Sequence, residues 1–189
     1  MPIIGQGWEL LVRRTHEQRR QSDGKRRTIG TYQVFHDGVV VPELAGVTAE
    51  SAGPGSNAVA GNKKRVEARR YPLFTQAGTN YVTFNFSPSE NQNGTPKPGV
   101  ELKETGNRSE ILIHPGIGFL ASVGCINLAR SLPHAAEPIS YSGSRRRVIA
   151  LIQDMKTFLG VMFPTQNGRR IPNAHMVIEG EPPAPPSTT

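Results

Sequence analysis

Apolar and polar positions alternate over short runs through most of the chain. Thr31-Tyr32-Gln33-Val34-Phe35 puts Tyr32 and Val34 on one face of an extended segment, and Tyr81, Thr83 and Asn85 alternate with Val82, Phe84 and Phe86 in the same way. This period of two predicts strands over residues 8–12, 28–34, 38–44, 69–74, 81–86 and 110–114. The last, Glu-Ile-Leu-Ile-His, is a compact apolar run that stops at Pro115-Gly116, as expected of a buried strand delivering His114 to a surface. Ser22-Asp23-Gly24 predicts a turn within the basic stretch 13–27, and residues 51–64 and 87–99, rich in Gly, Pro and Asn, read as irregular loops. A helical period enters late, where Val148, Leu151, Ile152, Met155 and Leu159 share a face, with Ser144 as N-cap and Gly160 as the stop. Arg145-Arg146-Arg147 open that helix against its dipole, so they are expected to meet an anion or carboxylates; the alternative is a solvated face. Residues 181–189 are Pro-rich and predict an extended, disordered tail.

A length of 189 residues matches one domain with an ordinary core, and 20 Gly with 16 Pro argue against an all-helical bundle. The expected fold is therefore mostly β with minor α. The net charge of +7 favours a polyanionic partner without choosing among nucleic acid, anionic lipid and cell-wall polymers. No apolar run is long enough to span a membrane, and the first residues lack a secretory pattern, so the expectation is synthesis in the cytoplasm without a signal peptide. His16, His36, His134 and His175 lack the spacings that metal ligands share, so no metal is expected. Tyr71 and Tyr81 are candidates either for a groove wall or for the core.

Chemistry concentrates between His114 and Leu128. Cys125 is the single cysteine, which excludes an internal disulfide and leaves either inert packing or a reactive thiol. A thiol attacks carbonyls as thiolate and needs an imidazole or a positive field nearby. His114 precedes Cys125 by 11 residues, with Pro115, Gly116 and Gly118 able to turn the chain between them. Gly124 allows backbone N–H groups to approach a substrate carbonyl, the ingredient of an oxyanion hole.

Ser122-Val-Gly124-Cys125-Ile-Asn-Leu128 resembles the Ser-His-Gly-Cys-Ile-Arg-Leu signature of the L,D-transpeptidases, and Ile113-His114-Pro-Gly116 resembles their upstream His-Gly element. It is also similar to phage and bacterial L,D-transpeptidase-like domains that pair Ile-Leu-Ile-His-Pro-Gly with Glu-Gly-Cys-Ile and carry an Arg-Thr, here Arg14-Thr15, before a Thr-Ile-Gly, here Thr28-Ile29-Gly30. The likeness runs over residues 8–160 in order of elements and is specific over 114–128. It implies a curled or sandwiched sheet forming one catalytic domain over 1–160, with 161–180 as an extension packed on it. It also implies Cys125 as nucleophile, His114 as base, the N–H groups of Gly124 and Cys125 as oxyanion donors, and Ser122 as a loop or imidazole support. Arg108, Gly116 and Asn127 fall at the substrate. Val123 stands where the signature has histidine and Asn127 where it has arginine, a loss for which Arg108 is the candidate replacement. The implied partners are peptidoglycan stem peptides, with a cognate immunity or delivery protein, and the implied place of action is the periplasm or cell wall after delivery by a secretion system or phage. Rivals are an inactive structural or interaction protein of a phage or secretion apparatus, and a nucleic-acid binder, for which no binding motif is present.

Overall fold

The computed structural model describes residues 2–121 and 123–186. Three long strands, β1 (Trp8–Arg19), β2 (Arg26–His36) and β3 (Val39–Ser51), form an antiparallel meander. After an irregular stretch come β4 (Arg70–Thr75), the short β5 (Tyr81–Val82) and β6 (Lys97–Pro98), then β7 (Val100–Leu102), β8 (Ile111–His114) and β9 (Ile126–Ala129). Helix α1 (Tyr141–Leu159) and strand β10 (Arg170–Glu179) follow. Eight strands close in the order β1-β10-β4-β7-β8-β9-β3-β2, while β5 and β6 pair with each other in a separate two-stranded sheet. The protein is mostly β with minor α, and its main sheet closes as a barrel instead of splitting into a sandwich.

An eight-stranded barrel leaves an interior that side chains can fill. Here Leu10, Val12, Val34, Leu73, Ile113 and Ile126 fill it together with the apolar stripe of α1, Val148 to Leu159. Tyr32 and Val34 share this inward face as their alternation requires. Trp8 anchors the helix to β1 by donating its indole N–H to Asp154 at 2.7 Å. Toward one end the inward positions turn polar. Arg14 makes a two-pronged contact with Glu50, at 3.0 and 2.6 Å, with neither side chain exposed. Arg65 bonds Glu17 at 2.7 Å, Thr28 Oγ1 at 2.5 Å and Glu181 at 2.6 Å.

These pairs explain where the sequence pattern misleads. β1 continues to Arg19 and β3 to Ser51, beyond the expected 8–12 and 38–44, because their charged residues are neutralised inside the barrel and break the apolar alternation. The expected strand 81–86 stops at Val82: Thr83 Oγ1 takes the Gln76 N–H and donates to the Gly99 carbonyl, and Asn85 turns to φ 58°. Strands β7, β9 and β10 were not expected. β7 and β9 are too short to show a period, and β10 carries a register shift between Arg170 and His175 with Asn173 at φ 55°. Residues 161–180 are thus no appended extension, since β10 lies between β1 and β4.

Helix α1 starts one turn before the expected cap. Ser140 is the N-cap and Ser144 is buried within the helix, while Gly160, at φ 54°, ends it as expected. Two of the three opening arginines meet neutral oxygens: Arg145 donates to Ser87 O at 2.7 Å, and Arg147 to Tyr32 Oη at 2.9 Å and Ala45 O at 3.0 Å. The expected tail is pinned at its start, where Glu181 also accepts the Gly55 N–H and the Pro182 carbonyl accepts from Arg65. Residues 187–189 of that tail lie outside the described residues. No helix among the described residues is long and apolar enough to cross a membrane.

Candidate functional site

β8 and β9 are parallel neighbours in register Ile113↔Ile126 and His114↔Asn127. Their isoleucines point into the core, so by alternation His114 and Asn127 face away from it. Cys125 stands at the entry to β9. Its sulfur accepts the Leu112 N–H at 3.3 Å and donates to the Glu110 carbonyl at 3.5 Å. Leu112 and His114 are two residues apart, about 6.6 Å along a strand. The turn 115–124 thereby returns the chain alongside β8, with the expected nucleophile at the N-terminal entry to β9 beside Leu112 and the expected base two residues further along, at the C-terminal end of β8.

His114 is buried, and its Nδ1 lies 2.9 Å from the Pro115 carbonyl. A carbonyl can only accept, so Nδ1 carries the proton and Nε2 keeps the lone pair. Burial, helped by the positive charge of Lys97, holds the imidazole pKa down to about 4. The histidine is therefore neutral near pH 7, with an unprotonated Nε2 whose basicity burial lowers. Its position is fixed from three sides. Asn127 donates to the His114 carbonyl at 3.1 Å, Tyr81 packs on the ring at 4.5 Å, and Ser144 of α1 accepts the Gly116 N–H at 2.8 Å. A Cβ on Gly116 would come within 2.7 Å of the Asn127 Cβ, so this close approach requires glycine. Asn127 and Gly116 are both buried. Both support the histidine strand, Asn127 through the His114 carbonyl and Gly116 by its close approach to Asn127.

The thiol is half-buried, and burial is the main influence on it, pushing its pKa above the ordinary value. The Leu112 N–H and the Arg108 guanidinium oppose this rise, and Glu110 adds to it. The resting pair is thus thiol and neutral imidazole. Gly124, at φ 97°, lies against Arg108, whose guanidinium would be 1.8 Å from a Cβ placed there. The Gly124 N–H donates to Ser51 Oγ at 2.8 Å, so it is not available as the expected oxyanion donor. Arg108 is where the sequence suggested, buried beside the thiol, with Nη1 donating to Ser56 O at 3.1 Å. Ser122 lies outside the described residues.

Sequence reasoning missed Lys97 and Tyr141. Lys97 lies 6.0 Å from the Tyr81 ring centre and 5.9 Å from that of Tyr141, giving the histidine side of the site a cationic and aromatic rim. Tyr81 belongs to this rim. Tyr71 does not, being buried in the core with its hydroxyl donating to Glu67 O at 2.7 Å. On the far side a cleft of about 370 Å³, lined by Gln76, Glu101, Lys103, Ser109 and Glu110 among others, runs up to the residue whose carbonyl holds the thiol. No three His, Cys, Asp or Glu side chains gather as metal ligands among the described residues. No family model, curated protein or solved structure matches the chain.

Proposed function

We propose that the protein is a cysteine-dependent acyl-transfer enzyme acting on peptidoglycan stem peptides, in the manner of the L,D-transpeptidases that its motif resembles. The observation that supports this reading is the placement of Cys125 and His114 on adjacent parallel strands, two residues out of register, with the histidine held neutral and its proton fixed on Nδ1. In the proposed reaction Cys125 Sγ attacks the carbonyl on the L-centre of the stem-peptide diamino acid as its proton passes to His114 Nε2. The tetrahedral oxyanion collapses to a thioester, and the terminal D-alanine leaves as an amine after taking the proton back from the imidazole. An acceptor amine or water, deprotonated by the same nitrogen, then releases the acyl group. No cofactor is required. The buried Arg108 charge stands where it can stabilise the negative charge that develops near sulfur, a role the motif assigned to the Gly124 N–H. The place of action under this reading is the periplasm or cell wall, reached by delivery, with an immunity or delivery protein as partner.

A second reading, an inactive structural or interaction protein, is favoured by two observations: the thiol is pushed up and the Gly124 N–H is already bonded. Mass spectrometry of purified muropeptides after incubation with the wild type and with Cys125→Ala separates the two. Loss of D-alanine or formation of cross-links by the wild type alone supports the enzyme, whereas unaltered muropeptides support the second reading.

A further inference from the structure

Arg130, Arg146 and Arg147 line a cavity of about 330 Å³ together with Tyr32, Glu43 and Leu44. The buried arginines of the barrel end, Arg14 and Arg65, are each neutralised by carboxylates. None of the three cavity arginines is in an ion pair among the described residues, although Glu43 shares the lining. The first turn of α1 carries no acid, so the positive end of its dipole adds to the same potential. Arg147 is held in place by Tyr32 Oη and Ala45 O, both bonded to Nη1, which leaves its other nitrogens for a ligand. Gly46 makes room for that guanidinium, since a Cβ there would come 3.1 Å from Nη1. The cavity is thus a cationic recess with two exposed arginines, one arginine held by hydrogen bonds and one carboxylate.

We propose that this recess binds a phosphate dianion, carried as a phosphate monoester or as the ion itself. Three guanidinium groups against one carboxylate leave two uncompensated positive charges, which match the dianion, and planar guanidinium forks meet phosphate oxygens in pairs. The site is separate from Cys125, because Arg130 lies five residues further along the chain, about 16 Å for extended backbone.

The test is a calorimetric and amide-NMR titration of the full chain with inorganic phosphate, ribose 5-phosphate and acetate at constant ionic strength. It is carried out on the wild type, on Arg130→Gln/Arg146→Gln, and on Cys125→Ala. Saturable phosphate binding that shifts the Gly143 amide, weakens about tenfold or more in the double variant and persists in Cys125→Ala is the expected result. Tighter binding of ribose 5-phosphate than of phosphate assigns a phosphorylated organic ligand, and equal binding assigns the ion; both support the site. The proposal is overturned by absence of saturable binding, by equal response to acetate, or by unchanged affinity in a double variant whose circular dichroism shows it folded.

Discussion

Two of the polar clusters buried among the described residues differ in the partners that burial leaves them. At the polar end of the barrel, Arg14 pairs with Glu50 and Arg65 with Glu17, so each buried side chain meets one of opposite charge type. On β8 and at the entry to β9, loss of solvent outweighs the nearby charges, Arg108 beside the thiol included, and keeps the His114 imidazole unprotonated and the Cys125 thiol protonated. Desolvation alone does not set a protonation state. The partner decides whether a buried group holds its charge or gives it up.

The largest expected effect breaks the neutral cluster at its sulfur. Cys125→Ala should lower turnover of muropeptides by about a thousandfold or more while leaving the thermal melt nearly unchanged, as a lost nucleophile does and a lost core residue does not. In the charged cluster the order reverses, with stability as the casualty. Glu50→Gln leaves Arg14 with only the more distant Glu181, at 3.6 Å, and should cost about 3 kcal/mol in urea denaturation, whereas replacing both partners with apolar residues, as in Arg14→Met/Glu50→Leu, should recover most of that loss.

The neutral cluster should also show in the pH dependence of stability. The folded pKa of His114 lies below its unfolded value of about 6.5, so the unfolded chain binds the proton more tightly. The contribution is complete above about pH 6.5 and is lost as pH falls toward about 4, roughly 3 kcal/mol in all. Urea midpoints between pH 4 and 7 should fall less steeply for His114→Gln than for the wild type. Asn127→Ala, which removes the donor to the His114 carbonyl, should cost about 1–3 kcal/mol by the same measurement. The smallest effects sharpen the comparison at the thiol. Iodoacetamide modification should show a midpoint above that of an unfolded cysteine, moving higher in Arg108→Gln and lower in Glu110→Gln. A midpoint below the unfolded value would place the thiol in an ion pair like those of the charged cluster.

The placement of Cys125 and His114 on neighbouring strands was legible because it is local: a strand end, glycines that turn the chain, and a return within 11 residues. The supports of that pair were not. Ser51, Tyr81 and Ser144 reach it from three distant segments, and nothing in the spacing of Asn127 and Gly116 shows that they are buried against each other. The strands were legible where apolar alternation is intact, as at Tyr32 and Val34. They were lost where the inward residue is charged, since the partner that permits Arg14 in the interior is Glu50 on another strand.

The parallel contact between β1 and β10 sets the order in which the barrel can be completed during synthesis. β1, β2 and β3 can pair as they emerge, but β1 must wait for residues 170–179 before its second edge is covered, and β4 waits for the same strand. Until then two strand edges stand open, a condition that favours pairing with other chains. Contacts this far apart in sequence also predict slow closure relative to a helical protein of equal size. A nascent chain arrested before Arg170 should therefore depend on a chaperone, which makes the least legible strand the one that commits the fold.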